Sequence, residues 1–219
     1  NGSMLDGSSN AFDGGPSVQL GFSGFPGQTL AFLEEGGREL RFGPSQMTTT
    51  FRVTRKVFVP SDAAFARYLE IVENVTAAPA NVTLGVRNNF GSNTNTQIVG
   101  TSSGDSQFTF RDDWLVTDDA NDGTGTPAVA SVIAGPNARL RPSVYLLSGD
   151  ALQVDYPLTV PAGGRVIVMH LVAQRTARAD ALSEAADLRA LVGRALTGLE
   201  PGEQADIVNF CAFVDSDLD

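Results

Sequence analysis

The sequence contains few of the residues that carry most enzyme chemistry. Its 219 residues include one histidine and one cysteine. Nucleophilic catalysis needs a base beside the nucleophile, but the histidine, His170, lies within an apolar run, which favours a core residue. One histidine and one cysteine cannot fill the usual tetrahedral shell of zinc. The sequence therefore favours a protein that is not an enzyme by itself, although hydrolases that use two carboxylates stay open.

Basic residues and long apolar segments are also scarce. The chain has 15 Lys and Arg against 25 Asp and Glu, a formal net charge of −10. We therefore expect no nucleic-acid partner, because phosphates need a basic surface. No segment approaches the roughly 20 apolar residues of a membrane-spanning helix, so we expect no membrane insertion. Cys211 has no second cysteine for an intrachain disulfide and is interpreted as an apolar filler.

Short apolar runs separated by turn signals extend from residue 17 to residue 175. This pattern is typical of an antiparallel β-sandwich and predicts an all-β fold. Residues 46–59 and 65–74 are expected to pair as a long hairpin around residues 60–62. The near-continuous apolar run from Val166 to Val172 predicts a central strand that is covered on both faces.

Strict alternation is clearest in residues 152–160, where every second residue from Leu152 to Val160 is apolar and Gln153, Asp155 and Thr159 lie on the wet face. Because Pro157 has no amide hydrogen, this segment is expected to be an edge strand or to contain a bulge.

The hydrophobic period changes to between three and four after residue 175, which predicts a helix over about residues 179–197. Gly198 and Pro201 end it, and a second helical turn is expected over residues 203–208. The predicted organisation is a single domain, with a sandwich over residues 1–175, a helical cap over residues 176–210 packed on it, and an acidic tail over residues 211–219.

The most suggestive polar segment runs from Arg111 to Gly123. Oxygen ligands in a flexible loop suit Ca²⁺, and a turn at Gly123 would let four side chains converge on the ion. These candidate metal ligands are Asp118, Asp119, Asn121 and Asp122. Ala120 stands where an EF-hand loop has an Asp or Asn ligand, and the usual Glu does not follow. The alternative is an Asx-rich turn without an ion.

Two arginines, Arg55 and Arg67, alternate in phase with apolar residues of their strands. Charges on an inward face need partners, so both could form structural ion pairs. Alternatively, a concave sheet face could present arginine and aromatic groups to a sugar or a carboxylate. Tyr68 and Trp114 are candidate residues for stacking against a sugar ring, with core packing as the alternative. Arg55, Arg67, Tyr68 and Trp114 are therefore the predicted ligand-binding residues.

Several segments together resemble an uncharacterised module of large exported and surface proteins of environmental bacteria. The resemblance is carried by residues 53–60, 66–70, 73–76, 88–92, 117–119 and 207–210. It implies a supersandwich-like antiparallel β-sandwich with a C-terminal helical cap, of the kind found next to sugar-processing domains. It also implies an extracellular or cell-surface location, and it offers no catalytic residues.

These observations lead to three functional hypotheses. The first is a non-catalytic structural or adhesive module that contacts neighbouring domains or other surface proteins, with Ca²⁺ as its candidate stabilising ion. The alternative is a carbohydrate-binding or carbohydrate-processing β-sandwich with glycans as partners. The third is a self-assembling subunit of an extracellular sheath or fibre.

Overall fold

Two antiparallel β-sheets form the body of the protein. The computed structural model describes residues 2–5 and 10–210. The strands in this part of the chain are β1 Phe12–Leu20, β2 Ser23–Gly24, β3 Phe32–Glu34, β4 Glu39–Gln46, β5 Phe51–Phe58, β6 Phe65–Asn74, β7 Ala80–Phe90, β8 Gln97–Thr101, β9 Trp114–Asp118, β10 Ala128–Val132, β11 Val144–Ser148, β12 Ala151–Val160 and β13 Arg165–Arg175. One sheet has the strand order β11-β12-β7-β1-β2, and the other has the order β3-β4-β5-β6-β13-β10-β9-β8. The predicted all-β sandwich is confirmed.

The eight-stranded sheet is covered on both faces at its centre. Strand β13 lies between β6 and β10. Its residues Val168 and Val172 pack into the core between the sheets. Ile167, Met169 and Leu171 pack into a second apolar cluster on the opposite face. The prediction of a central, doubly covered strand over residues 166–172 is therefore confirmed.

Strand β12 keeps the predicted alternation along its whole length. Its apolar residues from Leu152 to Val160 are buried, and the residues between them are half-buried or exposed. Pro157 is paired with Thr83 of β7, whereas β11 reaches only to Asp155. Pro157 thus lies where β12 pairs with no second strand of the described chain, so the edge prediction holds at this residue, although β11 and not β12 is the edge strand of the sheet.

The predicted strand over residues 46–59 is wrong at its start. A turn over residues 47–50 separates β4 from β5. The Thr48 hydroxyl accepts hydrogen bonds from the amides of Thr50 and Phe51 at 3.2 and 3.1 Å. A threonine that bonds to nearby backbone amides favours a turn over a strand. The predicted hairpin of β5 and β6 around residues 60–62 is confirmed.

Two helices follow β13: α1 spans Arg178–Arg189 and α2 spans Pro201–Asp206. The prediction that the first helix reaches residue 197 is wrong, because Leu191 and Gly193 have positive φ angles of 56° and 66°. Left-handed residues end a helix. The second helix begins at Pro201, earlier than predicted, where Glu200 and Glu203 form a capping box.

The buried face of α1, formed by Ala181, Ala185 and Leu188, packs in the apolar cluster on the outer side of the eight-stranded sheet. Neither helix is long and apolar enough to span a membrane, within the residues that the structure describes. The predicted acidic tail, with Cys211, lies outside the described residues.

Candidate functional site

The four predicted ligand-binding residues occupy different layers of the protein. Arg55 and Tyr68 are fully buried between the two sheets. Arg67 is also fully buried, but it points to the opposite face of β6, where its guanidinium lies 4.6 Å from the ring centre of Phe58. Trp114 is half-buried in the cluster with α1. The structure brings Arg55 and Tyr68 together and separates the other two, so ligand binding by this set stays a prediction.

Arg55 and Tyr68 belong to a buried polar cluster on β5, β6 and β13. Arg55 Nη2 lies 3.1 Å from Glu70 Oε1, and His170 Nε2 lies 2.9 Å from the same oxygen. The ring of Tyr68 stacks on that of His170, with 4.8 Å between ring centres. The Arg55 guanidinium lies 4.6 Å from the centre of the Tyr68 ring. This geometry is that of the structural ion pair considered for Arg55, with His170 as a hydrogen-bonded core residue.

The same cluster predicts a pH dependence of stability. Burial lowers the pKa of His170 below its ordinary value of 6.5, and the hydrogen bond with Glu70 only partly opposes this shift. The unfolded chain therefore takes up the proton first as the pH falls. The contribution of His170 to stability is complete above about pH 6.5 and is lost on acidification, by up to about 1.4 kcal/mol per pH unit.

Urea unfolding between about pH 8 and about pH 5.5 measures this dependence. The groups that face His170 are Glu70, Arg55 and the Tyr68 ring. His170 is the only histidine of the chain, so His170→Gln should flatten the dependence over this range. An equal dependence in the variant would show that His170 is not its source.

Arg67 anchors the segment between the two helices to the sheet. Its Nη1 donates to the carbonyl oxygens of Ala195 and Thr197 at 2.9 and 2.7 Å, and Nη2 donates to Glu39 at 3.1 Å. Lys56 adds a contact of 3.2 Å to Glu39 and one of 2.8 Å to Glu203 of α2. Burial raises the pKa of Glu39 although both cations oppose this shift. These contacts make Arg67 part of the attachment of the helical cap.

The acidic loop over residues 118–122 is held by protein donors. Asp118 Oδ2 accepts a hydrogen bond of 2.7 Å from Arg178 Nε, and Asp122 Oδ1 accepts one of 2.8 Å from the Arg178 amide. The two oxygens of Asp119 accept from the amides of Asn121 and Thr126 at 2.7 and 2.9 Å, and these bonds lower its pKa. The bond to Asn121 is that of an Asx turn.

Calcium binding by Asp118, Asp119, Asn121 and Asp122 stays a prediction. Within residues 2–5 and 10–210, no three His, Cys, Asp or Glu side chains are grouped as a metal site would require. A calcium ion would have to displace Arg178 and backbone amides from these carboxylates. A ligand that binds only the native state raises the melting temperature. A higher melting temperature in millimolar Ca²⁺ than in chelator would support the ion, and an unchanged one would contradict it.

The outer face of the five-stranded sheet presents alternating polar residues of β7 and β12 to solvent. Helices α1 and α2 pack on the other sheet. Cross-strand pairing aligns Gln19, Gly85 and Asp155 across β1, β7 and β12, and aligns Ser17, Arg87 and Gln153 in the next row. Paired residues of antiparallel strands share a face. We call Gln19, Gly85, Arg87, Gln153 and Asp155 the platform.

The charged groups of the platform are fixed by several contacts. Arg87 Nη1 lies 2.6 Å from Asp155 Oδ1, and it also donates to the carbonyl oxygens of Val86 and Val154 at 3.0 and 3.2 Å. Gln153 Nε2 donates to Asp155 Oδ2 at 2.9 Å. The Arg87 and Asp155 side chains retain 25% and 13% of their exposure, although Asp155 Oδ1 itself is buried, so the pair is held in place and partly exposed. A preorganised polar surface loses little side-chain entropy on binding a ligand.

Sequence patterns alone do not reveal the platform, apart from Gln153 and Asp155 on the solvent-facing side of the predicted strand over residues 152–160. Their partners Arg87 and Gln19 come from distant parts of the chain. The signal was the polar phase of β7, in which Asn81, Thr83, Arg87 and Asn89 alternate with buried residues over most of the strand. It could mark a wet face but could not place β7 beside β12.

The fold and this uncovered face define an antiparallel β-sandwich domain with one solvated sheet. No protein-family model and no curated protein matches the sequence. Among solved structures, a protein provisionally described as a kojibiose phosphorylase from the human microbiome is similar, with 12% identity and a TM-score of 0.46. The match covers 78% of this chain and 23% of the phosphorylase chain. The heparan sulfate lyase HepC of Pedobacter heparinus is similar at 10% identity with a TM-score of 0.44, over 72% of this chain and 21% of its own.

A polysaccharide lyase is similar at 14% identity with a TM-score of 0.44, over 77% of this chain and 26% of its own. These structures are carbohydrate-processing enzymes, and the chain spans about a quarter of the length of each. At such low identity the similarity concerns the arrangement of the strands.

Proposed function

We propose that this domain binds carbohydrate on the platform. The observation that carries the proposal is the Arg87–Asp155 pair, which is fixed and partly exposed on a sheet face that α1 and α2 leave open. Sugar hydroxyls donate and accept hydrogen bonds at once, and the platform offers both kinds of group side by side. The Arg87 guanidinium donates, the Asp155 carboxylate accepts, and the amides of Gln19 and Gln153 do both.

The proposal concerns binding alone. This domain would be part of a longer exported protein, in which other domains would carry out any reaction. A polar surface without surplus charge suits this role, because hydrogen bonds give specificity at modest affinity. The proposed role replaces the structural or adhesive module as our leading hypothesis, since the platform offers a defined surface for a ligand.

Replacing Arg87 by alanine tests the proposal. A hydrogen bond that involves a charged group contributes about 1.5–3 kcal/mol, so binding should weaken about tenfold to a hundredfold. The measurement is isothermal titration with the polysaccharides that bind the unaltered domain on a glycan array.

The matched control for this substitution is Arg52→Ala. Arg52 is a partly exposed arginine of the other sheet, and it is paired with Glu73. This variant should bind as the unaltered domain does. If Arg87→Ala also bound with unchanged affinity while its melting temperature stayed the same, the platform would not be the binding site. A glycan array without any signal would contradict carbohydrate binding altogether.

One observation favours a structural or self-assembling role as a second candidate. Strand β3 is the edge of the eight-stranded sheet, and Leu30, Phe32 and Leu33 in and before it are 73%, 51% and 70% exposed. Exposed apolar edge strands are sites of pairing with other chains. Sedimentation velocity over a wide concentration range would show association if copies of this domain pair through β3, and a constant sedimentation coefficient would contradict self-assembly.

A further inference from the structure

We infer that the platform binds a linear, neutral glycan that crosses the strands, with successive sugars over successive strands. The inference rests on the proposed function and adds the class of the glycan and its direction. It follows from three properties of the platform: the spacing of its rows, the absence of a side chain at Gly85, and the balance of its charges.

The spacing of the strands matches an extended chain of sugars. Asp155, Gly85 and Gln19 are cross-strand partners on three neighbouring strands. Neighbouring strands lie about 4.8 Å apart, which is close to the length of one sugar in a linear polysaccharide. A chain laid along this row would meet one platform position per sugar. A chain laid along a strand would meet side chains of the same face only at every second residue.

Gly85 keeps the row level. A Cβ atom at this position would lie 2.6 Å from Arg87 Nη1, 2.7 Å from Nη2 and 2.8 Å from Cζ. The guanidinium therefore rests directly on the backbone of Gly85 and fills the middle of the row, between Asp155 and Gln19. A level surface with its polar groups in the plane suits an extended ligand, whereas an enclosed monosaccharide needs a concave pocket.

The charges of the platform favour a neutral glycan. Asp155 faces Arg87 at 2.6 Å, so the row carries no surplus positive charge for a uronate or sulfate group. The other members, Gln19 and Gln153, are neutral amides. The net charge of −10 repels polyanions in addition. Neutral sugars need only the hydrogen bonds that these groups supply.

The test uses Gly85→Ala, a substitution that adds one methyl group beneath Arg87 and removes no polar group. The clash involves the far end of a flexible side chain, and Gly85 has no positive φ angle, so the fold should tolerate it. The guanidinium would be pushed off the sheet, and binding of long oligosaccharides should weaken at least about tenfold. Gly27→Ala, in the loop after β2, is the matched control, because a Cβ there meets nothing within 4 Å and Gly27 lies outside the strands of the row.

Linear oligosaccharides of one to six sugars, in the glucose, mannose and xylose series, provide the length dependence by isothermal titration. Affinity should rise from one sugar to about three, the number of strands that contribute platform residues to the row, and then level off. A polyuronate serves as the anionic probe and should bind more weakly than the neutral series. Melting temperatures of both glycine variants show that they remain folded.

The outcomes separate this inference from the proposed function. If the unaltered domain binds no glycan, the proposed function fails and this inference fails with it. If it binds a monosaccharide as tightly as the long oligomers, prefers the polyuronate, or binds equally well as Gly85→Ala and Gly27→Ala, carbohydrate binding stands. The inference of a linear, neutral glycan that crosses the strands is then overturned.

Discussion

Replacing Glu70 by glutamine should lower the free energy of unfolding by about 3–5 kcal/mol, the usual effect of removing one partner of a buried ion pair. The Glu70 carboxylate is fully buried and faces two groups at once, Arg55 Nη2 at 3.1 Å and His170 Nε2 at 2.9 Å. Glutamine keeps the shape of the side chain and removes its negative charge, so the Arg55 charge stays in the core without this compensation. Urea unfolding monitored by circular dichroism measures the change.

The chain provides a matched control on the same two strands. Glu73 lies on β6 and pairs with Arg52 of β5 at 3.4 Å, as Glu70 pairs with Arg55, but these side chains are 31% and 43% exposed. Exposed ion pairs contribute about 0–1 kcal/mol, so Glu73→Gln should have little effect. Equal, small effects of both substitutions would show that the buried cluster is not a main source of stability.

The second large effect is expected for Asn209→Ala. Asn209 is fully buried, and its Oδ1 accepts from the Met169 amide at 2.9 Å. Its Nδ2 donates to the carbonyl oxygens of Ile133 and Met169 at 2.7 and 2.6 Å. Alanine would leave the amide and the carbonyl oxygen of Met169 without these bonds in the core, at a cost of about 1–3 kcal/mol each, whereas the Ile133 carbonyl oxygen keeps the bond of 2.7 Å from the Tyr156 hydroxyl. We expect a total loss of about 3 kcal/mol, because the groups can relax partly.

Two measurements check the Asn209 prediction. Urea unfolding gives the change in stability, and amide hydrogen exchange should show faster exchange at Met169 in the variant. The matched control is Gln204→Ala, since Gln204 donates a single, partly buried hydrogen bond to the Leu199 carbonyl oxygen at 2.9 Å. It should cost no more than about 1 kcal/mol. Unchanged protection of the Met169 amide in Asn209→Ala would contradict the role of Asn209 in joining the C-terminal segment to β13.

Local patterns in the sequence predicted the features of the fold that depend on one segment. The alternation of β12, the continuous apolar run of β13 and the bounds of β6 all follow from which faces of a strand are buried. The turn over residues 47–50 and the early end of α1 were not predicted. Both depend on single backbone events, the Thr48 hydroxyl bonds and the left-handed Leu191, that hydrophobic periodicity does not record.

The candidate site was harder to predict because its members come from distant segments. Arg55 and Arg67 were recognised as inward charges, and the structure gives both carboxylate partners. Those partners, Glu70 and Glu39, depend on which strands are neighbours, and a single sequence does not show this. The pairing of Arg87 with Asp155 has the same origin. The role of Gly85 could not be predicted from the sequence, because it depends on the Arg87 guanidinium that rests on its backbone.

The most direct test of carbohydrate binding on the platform is an NMR titration of the isotope-labelled domain with a neutral oligosaccharide of about six sugars. We predict that amide signals of Gln19, Gly85, Arg87 and Gln153 shift together and saturate, while those of the loop over residues 118–122 and of β3 stay in place. Shifts confined to that loop or to β3, or no shifts at saturating oligosaccharide, would contradict a carbohydrate-binding sheet face.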